Sequence, residues 1–247
     1  MLIGILICGD PPEVIKRIYG DYGKIYKSYI LSLPSSVGIT FRYFRVVDNI
    51  FPSDDDIAIC DCFMLTGSKY STYDNFEWIH KLRVLIRHLD VIRKKMIGIC
   101  FGHQIIADAL GCKIEKNSNG WEVSVCNVKL NSIGKKLFSS KKLINKNSIL
   151  ISQSHKDIVS EVNVDSGLKI FCYNEHCKIQ GMIKGNHILT FQGHPEYFPQ
   201  VIEALLNERK HIIPERMYAI GMSRKDEPTD SLVILDVILE FIRSHVF

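Results

Sequence analysis

Residues 96–110, M-I-G-I-C-F-G-H-Q-I-I-A-D-A-L, decide the fold. The apolar run Met96 to Ile99 predicts a strand buried on both faces, and the apolar spacing from Gly102 to Leu110 predicts a helix that begins almost at once. Cys100 lies at the junction, with a glycine two positions away on each side. This G-x-C-x-G pattern at a strand-to-helix turn is the thiol counterpart of a nucleophile elbow. It predicts both a βα unit and a candidate nucleophile.

Such an elbow favours thiol chemistry for physical reasons. A residue at this turn is held in a strained backbone conformation, so the neighbouring positions must be small to let strand and helix approach each other. The helix N-terminus favours a thiolate at Cys100, and the backbone N–H of Phe101 would point to where an oxyanion forms. The alternative is a buried structural cysteine on a glycine-containing turn.

The alternation of strand and helix extends over the residues that precede this unit. Over the first 110 residues it is typical of βαβ units and of a doubly wound parallel sheet. The predicted strands are Met1 to Cys8, Phe41 to Val47 and Cys60 to Leu65, and the predicted helices are Glu13 to Leu33 and Trp78 to Arg93.

After Gly111 the pattern changes to short apolar or alternating runs, which predict strands joined by turns, some of them antiparallel. Two helices follow, separated by a charged loop. We therefore expect an α/β protein with a single doubly wound, mostly parallel sheet flanked by helices, and an additional β-rich segment. The later strands are predicted at Val123 to Leu130, Ile149 to Ser152, Gly167 to Tyr173, Ile179 to Ile183 and Ile188 to Gln192, and the helices at Val201 to Lys210 and Ser231 to Arg243.

Composition and charge narrow the classes of function. Hydrophobic residues make up 46% and charged residues 23% of the chain, which excludes a disordered protein. Lys and Arg exceed Asp and Glu by 31 to 27, a net charge of +4 that is too small to indicate a nucleic-acid or membrane partner. No apolar run approaches the roughly 20 residues that span a bilayer, and no basic leader precedes the first strand, so we expect a cytosolic protein.

The chain is expected to form one domain. No linker-like stretch divides its 247 residues. We place the core of a single domain, 1–247, at about 1–205 and a C-terminal helical extension at 206–247. The eight cysteines lack the density of a disulfide scaffold, so most should be small buried hydrophobic residues in a reducing compartment.

A thiolate nucleophile needs a base that later returns a proton to the leaving amine. Among nine histidines the best candidate is His194, because it follows the strand at Ile188 to Gln192, and open α/β sheets bind ligands at strand ends. Glu196 lies two residues further on. In an extended conformation this spacing would place both side chains on one side, where the carboxylate can orient the imidazole.

Two further segments are weak signals when taken alone. Gly67 follows a strand end and could bring a second backbone N–H to the oxyanion, although an ordinary turn is the better explanation of this segment taken alone. Ser154 and His155 also follow a strand, near the same edge of the sheet, and such a histidine is more often structural than catalytic. Cysteine and histidine spacings elsewhere do not match a metal site, so no metal and no cofactor are expected.

Taken together, these segments resemble the class I, triad-type glutamine amidotransferases. The motifs G-I-C-F-G-H-Q at 98–104, S-H-K-D-I-V at 154–159 and Q-G-H-P-E at 192–196 occur in that family's order and spacing. The resemblance covers residues 1 to about 205 and implies a flavodoxin-like α/β domain. It implies that Cys100 attacks the γ-carbonyl of a glutamine-type side chain while His194 shuttles the proton and Glu196 orients it.

The resemblance also implies roles for the residues around this triad. The amides of Gly67 and Phe101 match the family's oxyanion hole. Gln104 and the Ser154-His155 segment fall where the family holds the α-amino and α-carboxylate groups of the glutamyl moiety.

Within this family the chain is most similar to the plant-type γ-glutamyl peptidases, which cleave the γ-glutamyl bond of glutathione and its conjugates. The shared segments include G-S-K-Y-S-T-Y at 67–73 and Q-G-H-P-E-Y at 192–197. Two departures are Cys112, where a glycine is common, and Ser154, where the peptidases more often have cysteine. The pocket for the leaving amine is expected to use residues from Tyr70 to Asn75, Trp121 and Tyr197.

Three hypotheses remain open at this point. The first is a γ-glutamyl hydrolase that acts on a small-molecule substrate such as glutathione through a thioester on Cys100. The second is a glutaminase subunit that supplies ammonia to a separate synthase, for example one that makes GMP. The third is a catalytically silent module that binds γ-glutamyl compounds or a protein.

Overall fold

The computed structural model describes residues 1–244, so the last three residues of the predicted C-terminal extension lie outside the described residues. Strands and helices alternate over the first half of the chain, as the sequence predicts. The strands are β1 (Leu2–Leu6), β2 (Thr40–Phe44), β3 (Cys62–Leu65), β4 (Lys95–Ile99), β5 (Lys113–Lys116), β6 (Glu122–Leu130), β7 (Ser148–His155), β8 (Asp157–Glu161), β9 (Lys169–Tyr173), β10 (Gly181–Lys184) and β11 (Ile188–Phe191).

The α-helices flank the central sheet. They are α1 (Glu13–Tyr19), α2 (Tyr22–Leu31), α3 (Asp54–Ile59), α4 (Glu77–Val91), α5 (Phe101–Ala109), α6 (Ser132–Leu137), α7 (Pro199–Glu208), α8 (Glu215–Arg224) and α9 (Ser231–Arg243). Within residues 1–244, no helix combines the length and the apolar character needed to cross a bilayer.

Nine strands form one sheet in the order β2-β1-β3-β4-β11-β10-β9-β6-β7. Strands β2, β1, β3, β4 and β11 run parallel to their neighbours, whereas the pairings from β11 to β7 are antiparallel. Strands β5 and β8 form a separate antiparallel pair. The α/β class with a mostly parallel central sheet flanked by helices is thus confirmed, and the β-rich segment after Gly111 supplies the antiparallel strands.

The alternation of side chains along the strands builds a core on each face of the sheet. In β1, Ile3 and Ile5 pack in a cluster with residues of α2 and α9, whereas Leu6 packs in a second cluster with residues of α4 and α5. Because successive strand residues point to opposite faces, an uninterrupted apolar run such as β1 serves both clusters.

Two predicted segments differ from the structure. The helix predicted from Glu13 to Leu33 is two helices, because Gly20 has a φ of +84° and Asp21 caps α2 by accepting a hydrogen bond from the backbone N–H of Lys24. The charged loop predicted between the last two helices contains α8. That helix has few fully buried residues, so it lacks the continuous apolar stripe that makes a helix visible in sequence.

The register of the parallel strands determines where the site forms. Leu65 pairs with Gly98, and Ile99 pairs with Phe191, so β3, β4 and β11 end side by side at their carboxyl ends. The segments that follow these strands carry Gly67, Cys100 and His194.

Candidate active site

Cys100 adopts the strained backbone conformation expected of an elbow, with φ 53° and ψ −103°, and α5 begins at the next residue. Its backbone N–H donates to the carbonyl of Phe191 at 2.8 Å, which ties the turn to the neighbouring strand. A Cβ atom at Gly98 would lie 2.6 Å from the carbonyl oxygen of Gly102, and one at Gly102 would lie 2.5 Å from that of Leu65. Only glycine therefore allows strand and helix to approach this closely.

His194 lies beside Cys100 and is 1% exposed. Its backbone N–H donates to the carbonyl of Ser152 on β7 at 2.8 Å, so the residue is fixed to the antiparallel half of the sheet. The imidazole Nδ1 donates to Glu196 Oε1 at 2.8 Å. The structure thus brings together Cys100, His194 and Glu196, which were selected from the sequence.

The path between His194 and Glu196 differs from the extended conformation that the sequence spacing favoured. Pro195 and Glu196 form a turn, and the backbone N–H of Tyr197 reaches back to the carbonyl of His194 at 3.4 Å. The turn places the carboxylate of Glu196 against Nδ1, and it places the ring of Tyr197 flat on the imidazole. Proline restricts the backbone but is equally compatible with a turn, which is why the spacing alone misled.

The electrostatics of the site favour a charged imidazole. Burial acts against the imidazolium of His194, but the charges of Glu196 and Cys100, together with hydrogen bonds to both, raise the pKa of His194 to about 9. A protonated His194 beside Cys100 is positioned to give a proton to a group that leaves from this site.

Gly67 and Phe101, whose backbone amides were predicted to form an oxyanion hole, both lie next to Cys100. A Cβ atom at Gly67 would lie 3.8 Å from Cys100 Cβ and 2.8 Å from His194 Cε1, so this turn passes directly over the pair. Phe101 is the first residue of α5. Neither N–H donates to an acceptor within the part of the chain that the structure describes. Both donors are available to a substrate carbonyl.

Gln104, Ser154 and His155 line the same cavity as Cys100. The amide nitrogen of Gln104 donates to the carbonyl of Asp157 at 2.8 Å and to Gln192 Oε1 at 3.0 Å. Ser154 accepts a hydrogen bond from an arginine on its Oγ. Their roles toward a glutamyl group stay predictions, while their location beside the nucleophile is a property of the fold.

A buried carboxylate that sequence reasoning missed holds His155 in place. Glu122 begins β6, directly opposite His155 in the strand register, and its Oε2 lies 3.0 Å from His155 Nε2. Gln180 and Asn174 also donate to this carboxylate. Burial alone would raise the pKa of Glu122, but the hydrogen bond and charge of His155 hold this pKa below its usual value. An isolated acidic residue at the start of an apolar strand was the only signal in the sequence.

The cavity above Cys100 has a volume of about 360 Å³, within the range of small-molecule sites. Tyr70, Ser71 and Trp121 line it, as expected for the side of the leaving amine. Residues 72–75 and Tyr197 are not among its lining residues, and the ring of Tyr197 packs against His194 instead, so this part of the prediction is wrong. Four lysine and arginine side chains also line it: Lys69, Lys116, Lys156 and Arg209.

Metal chemistry finds no ligand set here. Within residues 1–244 there is no group of three or more His, Cys, Asp or Glu side chains that could hold a metal ion.

A sequence model of the family described as glutamine amidotransferase class-I matches residues 21–211. This chain belongs to that family. A glutamine amidotransferase-like protein of Schizosaccharomyces pombe is 32% identical over 252 residues, which cover 97% of this chain and 98% of the relative. Gamma-glutamyl peptidase 5 of Arabidopsis thaliana is 32% identical over 196 residues, 78% of this chain and 74% of that protein.

Solved structures agree with this membership at the level of the fold. The crystal structure of a glutamine amidotransferase from Thermotoga maritima superimposes with a TM-score of 0.72 at 15% identity and covers 98% of both chains. The matched class-I region contains all the residues selected from the sequence as catalytic or substrate-binding.

Proposed function

We propose that this class-I glutamine amidotransferase family member is a hydrolase that cleaves the γ-glutamyl bond of glutathione or of glutathione conjugates. The observation that carries the proposal is the position of Cys100, with His194 and Glu196 beside it, at the floor of a cavity whose wall holds unpaired cations. The similarity to a protein named as a γ-glutamyl peptidase supports the same substrate class.

The charge of the cavity wall favours an anionic substrate. Lys116 and Lys156 make no ion pair within residues 1–244, and neither does Arg209. Two carboxylates, those of Asp157 and Glu208, also line the cavity and are outnumbered by its four lysine and arginine side chains. The carboxylate of Asp157 accepts hydrogen bonds from Ser71 and Tyr73. At neutral pH glutathione carries two carboxylates and one ammonium group, whereas free glutamine carries one of each. Excess positive charge therefore stabilises bound glutathione more than bound glutamine.

In the first half of the reaction, the Cys100 thiolate attacks the γ-carbonyl carbon and a tetrahedral intermediate forms. The N–H groups of Gly67 and Phe101 donate to its oxyanion. The protonated imidazole of His194 then gives its proton to the leaving nitrogen, the C–N bond breaks, and a γ-glutamyl thioester remains on Cys100.

In the second half, water attacks the thioester. Neutral His194 takes a proton from the water, a second tetrahedral intermediate forms at the same oxyanion hole, and the C–S bond breaks. Glutamate leaves, and the proton on His194 restores the starting ion pair with the Cys100 thiolate. Glu196 holds the imidazole in the orientation that both transfers need.

The test is glutamate release by the purified full chain from glutathione, from an S-conjugate of glutathione and from glutamine. We expect the first two to be cleaved with a higher kcat/KM than glutamine, and we expect Cys100→Ser to abolish all three activities. Cys126→Ser is the matched control, because Cys126 is a partly buried thiol outside the cavity. Release from glutamine alone would contradict the proposal, and so would release from none of the three.

A further inference from the structure

Arg209 immediately follows α7 and lies in the wall of the cavity. Its Nη1 donates to Ser154 Oγ at 2.8 Å and to the Ser154 carbonyl at 3.2 Å. Its guanidinium carbon lies 5.5 Å from the centroid of the Trp121 ring. The side chain is therefore held by a polar anchor and by an aromatic face, rather than extending freely into water.

The remaining donors of this guanidinium have no partner in the protein. Neither Nε nor Nη2 donates to any acceptor within residues 1–244, and no carboxylate forms an ion pair with Arg209. These two donors lie on one edge of the planar group, in the fork geometry that matches the two oxygens of a carboxylate. An anchored arginine with a free fork in a cavity wall is suited to an anionic group of the substrate.

The depth of the cavity separates two regions. Cys100, Gln104 and His155 are 6%, 3% and 4% exposed and form its buried floor. Trp121 and Arg209 are only partly buried and belong to the outer wall. With the γ-carbonyl at Cys100 and the glutamyl head group near Gln104 and His155, the amine side of a peptide substrate extends toward this wall.

We propose that Arg209 binds the terminal carboxylate on the amine side of the substrate and makes the enzyme select γ-glutamyl peptides that end in a free carboxylate. This inference rests on the proposed function and names the group that sets its specificity. Trp121 and Ser154 are positioning residues, because each contacts the guanidinium while Nε and Nη2 keep no partner within residues 1–244.

The test is a binding cycle on the full chain carrying Cys100→Ala, which binds without turnover. The ligands are glutathione and its glycinamide form, which differ only in the terminal carboxylate, and binding is measured by calorimetry. With Arg209 present, we expect glutathione to bind about tenfold more tightly than the amide. Adding Arg209→Gln should remove most of that difference and leave the affinity for the amide nearly unchanged.

Two variants control the cycle. Arg209→Lys keeps the charge but loses the fork and should retain only part of the preference for glutathione. Lys210→Gln removes the adjacent cation, whose Nζ lies 5.1 Å over the Tyr218 ring and outside the cavity lining, and should leave both affinities unchanged. Thermal unfolding shows whether each variant is folded. If Arg209→Gln does not fold, the loss of preference for glutathione over its amide is measured with Arg209→Lys instead.

Several outcomes would overturn the inference. If Arg209→Gln weakens both ligands equally, the arginine contacts the glutamyl α-carboxylate or acts only through the fold. If it weakens neither, or if neither ligand binds, Arg209 does not recognise this group. The proposed function fails separately: a wild-type protein that releases no glutamate from glutathione or from its S-conjugate contradicts it, even where the binding cycle shows the expected coupling.

Discussion

The imidazole of His194 lies flat on the ring of Tyr197, with centroids 3.7 Å apart and planes 7° from parallel. The hydroxyl of Tyr197 is 2.9 Å from that of Tyr22, so the ring that supports the imidazole is itself fixed to α2. The hydrogen bond to Glu196 prevents the imidazole from turning within its own plane, and stacking on Tyr197 prevents that plane from tilting. Two successive residues thus determine the orientation of the base.

Replacing Tyr197 by alanine removes this support. We expect kcat to fall about tenfold or more, because small displacements of a proton-transfer group are costly, and stability to fall by about 3 kcal/mol from the lost buried ring. Tyr197→Phe keeps the ring and loses only the hydroxyl contact, so its kcat should stay within about threefold of wild type. Steady-state kinetics and denaturant unfolding measure both effects. Equal kcat losses in the two variants would contradict the role of the ring.

The pH profile should report the charge on His194. Burial lowers the pKa of His194, but Glu196 and Cys100 raise it to about 9. The proposed mechanism needs the imidazolium to protonate the leaving amine. Activity should therefore be present below that pH and be lost as pH rises through about 9. The measurement is kcat/KM against pH, which reports groups of the free enzyme.

Glu196→Gln should change both the level and the shape of that profile. We expect kcat/KM to fall by about 10³-fold or more, because an amide does not hold the imidazole in the productive tautomer. The alkaline limb should move to lower pH, since the negative charge that stabilises the imidazolium is gone. A limb that stays at the same pH in the variant would assign it to another group.

Gly67→Ala tests how closely the turn after β3 passes over the site. The added Cβ would lie 2.8 Å from His194 Cε1, so either the imidazole or the N–H of residue 67 must move. We expect kcat to fall about 100-fold with little change in overall stability. Gly38→Ala is the matched control: it has a φ of +74° and open space around it, so it should cost about 1 kcal/mol of stability and no activity. If Gly67→Ala instead lowered stability and left kcat unchanged, Gly67 would serve folding only.

Glu122 should contribute stability that depends on pH. Its pKa is lowered in the folded protein despite burial, through the hydrogen bond and charge of His155. The contribution is therefore fully present above the unfolded-state pKa of about 4.3 and is lost as pH falls through the lower folded value. Glu122→Gln should lower the free energy of unfolding by about 2–3 kcal/mol at pH 7, with the deficit shrinking in acid. Glu115→Gln, at a partly exposed carboxyl, should have no effect beyond about 0.5 kcal/mol.

The strand-to-helix elbow at Cys100 and the fold around it could be predicted because their signals are local. Cys100 lies within one short segment whose glycines, strand and helix are contiguous, and His194 follows directly from a strand end. The α/β class follows from the same alternation. Each of these features depends on residues a few positions apart, which is the range over which periodicity and turn chemistry act.

The contacts that join distant segments could not be predicted in the same way. Arg209 meets Ser154 across 55 positions of sequence, and Glu122 meets His155 across 33. No local pattern marks either pair, because β7 brings them together only after the antiparallel half of the sheet has formed. The error over Tyr197 has a local cause, since extended strand and tight turn are both compatible with the segment around Pro195.

The hydrogen bond from the Cys100 backbone to Phe191 has a consequence for biosynthesis. In the sheet, β11 lies between β4 and β10, although it is the last strand to leave the ribosome. A nascent chain that has formed only β1 to β4 carries the future nucleophile, but it has neither the neighbouring strand that ties the elbow nor His194. A polypeptide that ends before β11 therefore lacks both the strand that fixes the Cys100 turn and the imidazole that the proposed reaction requires.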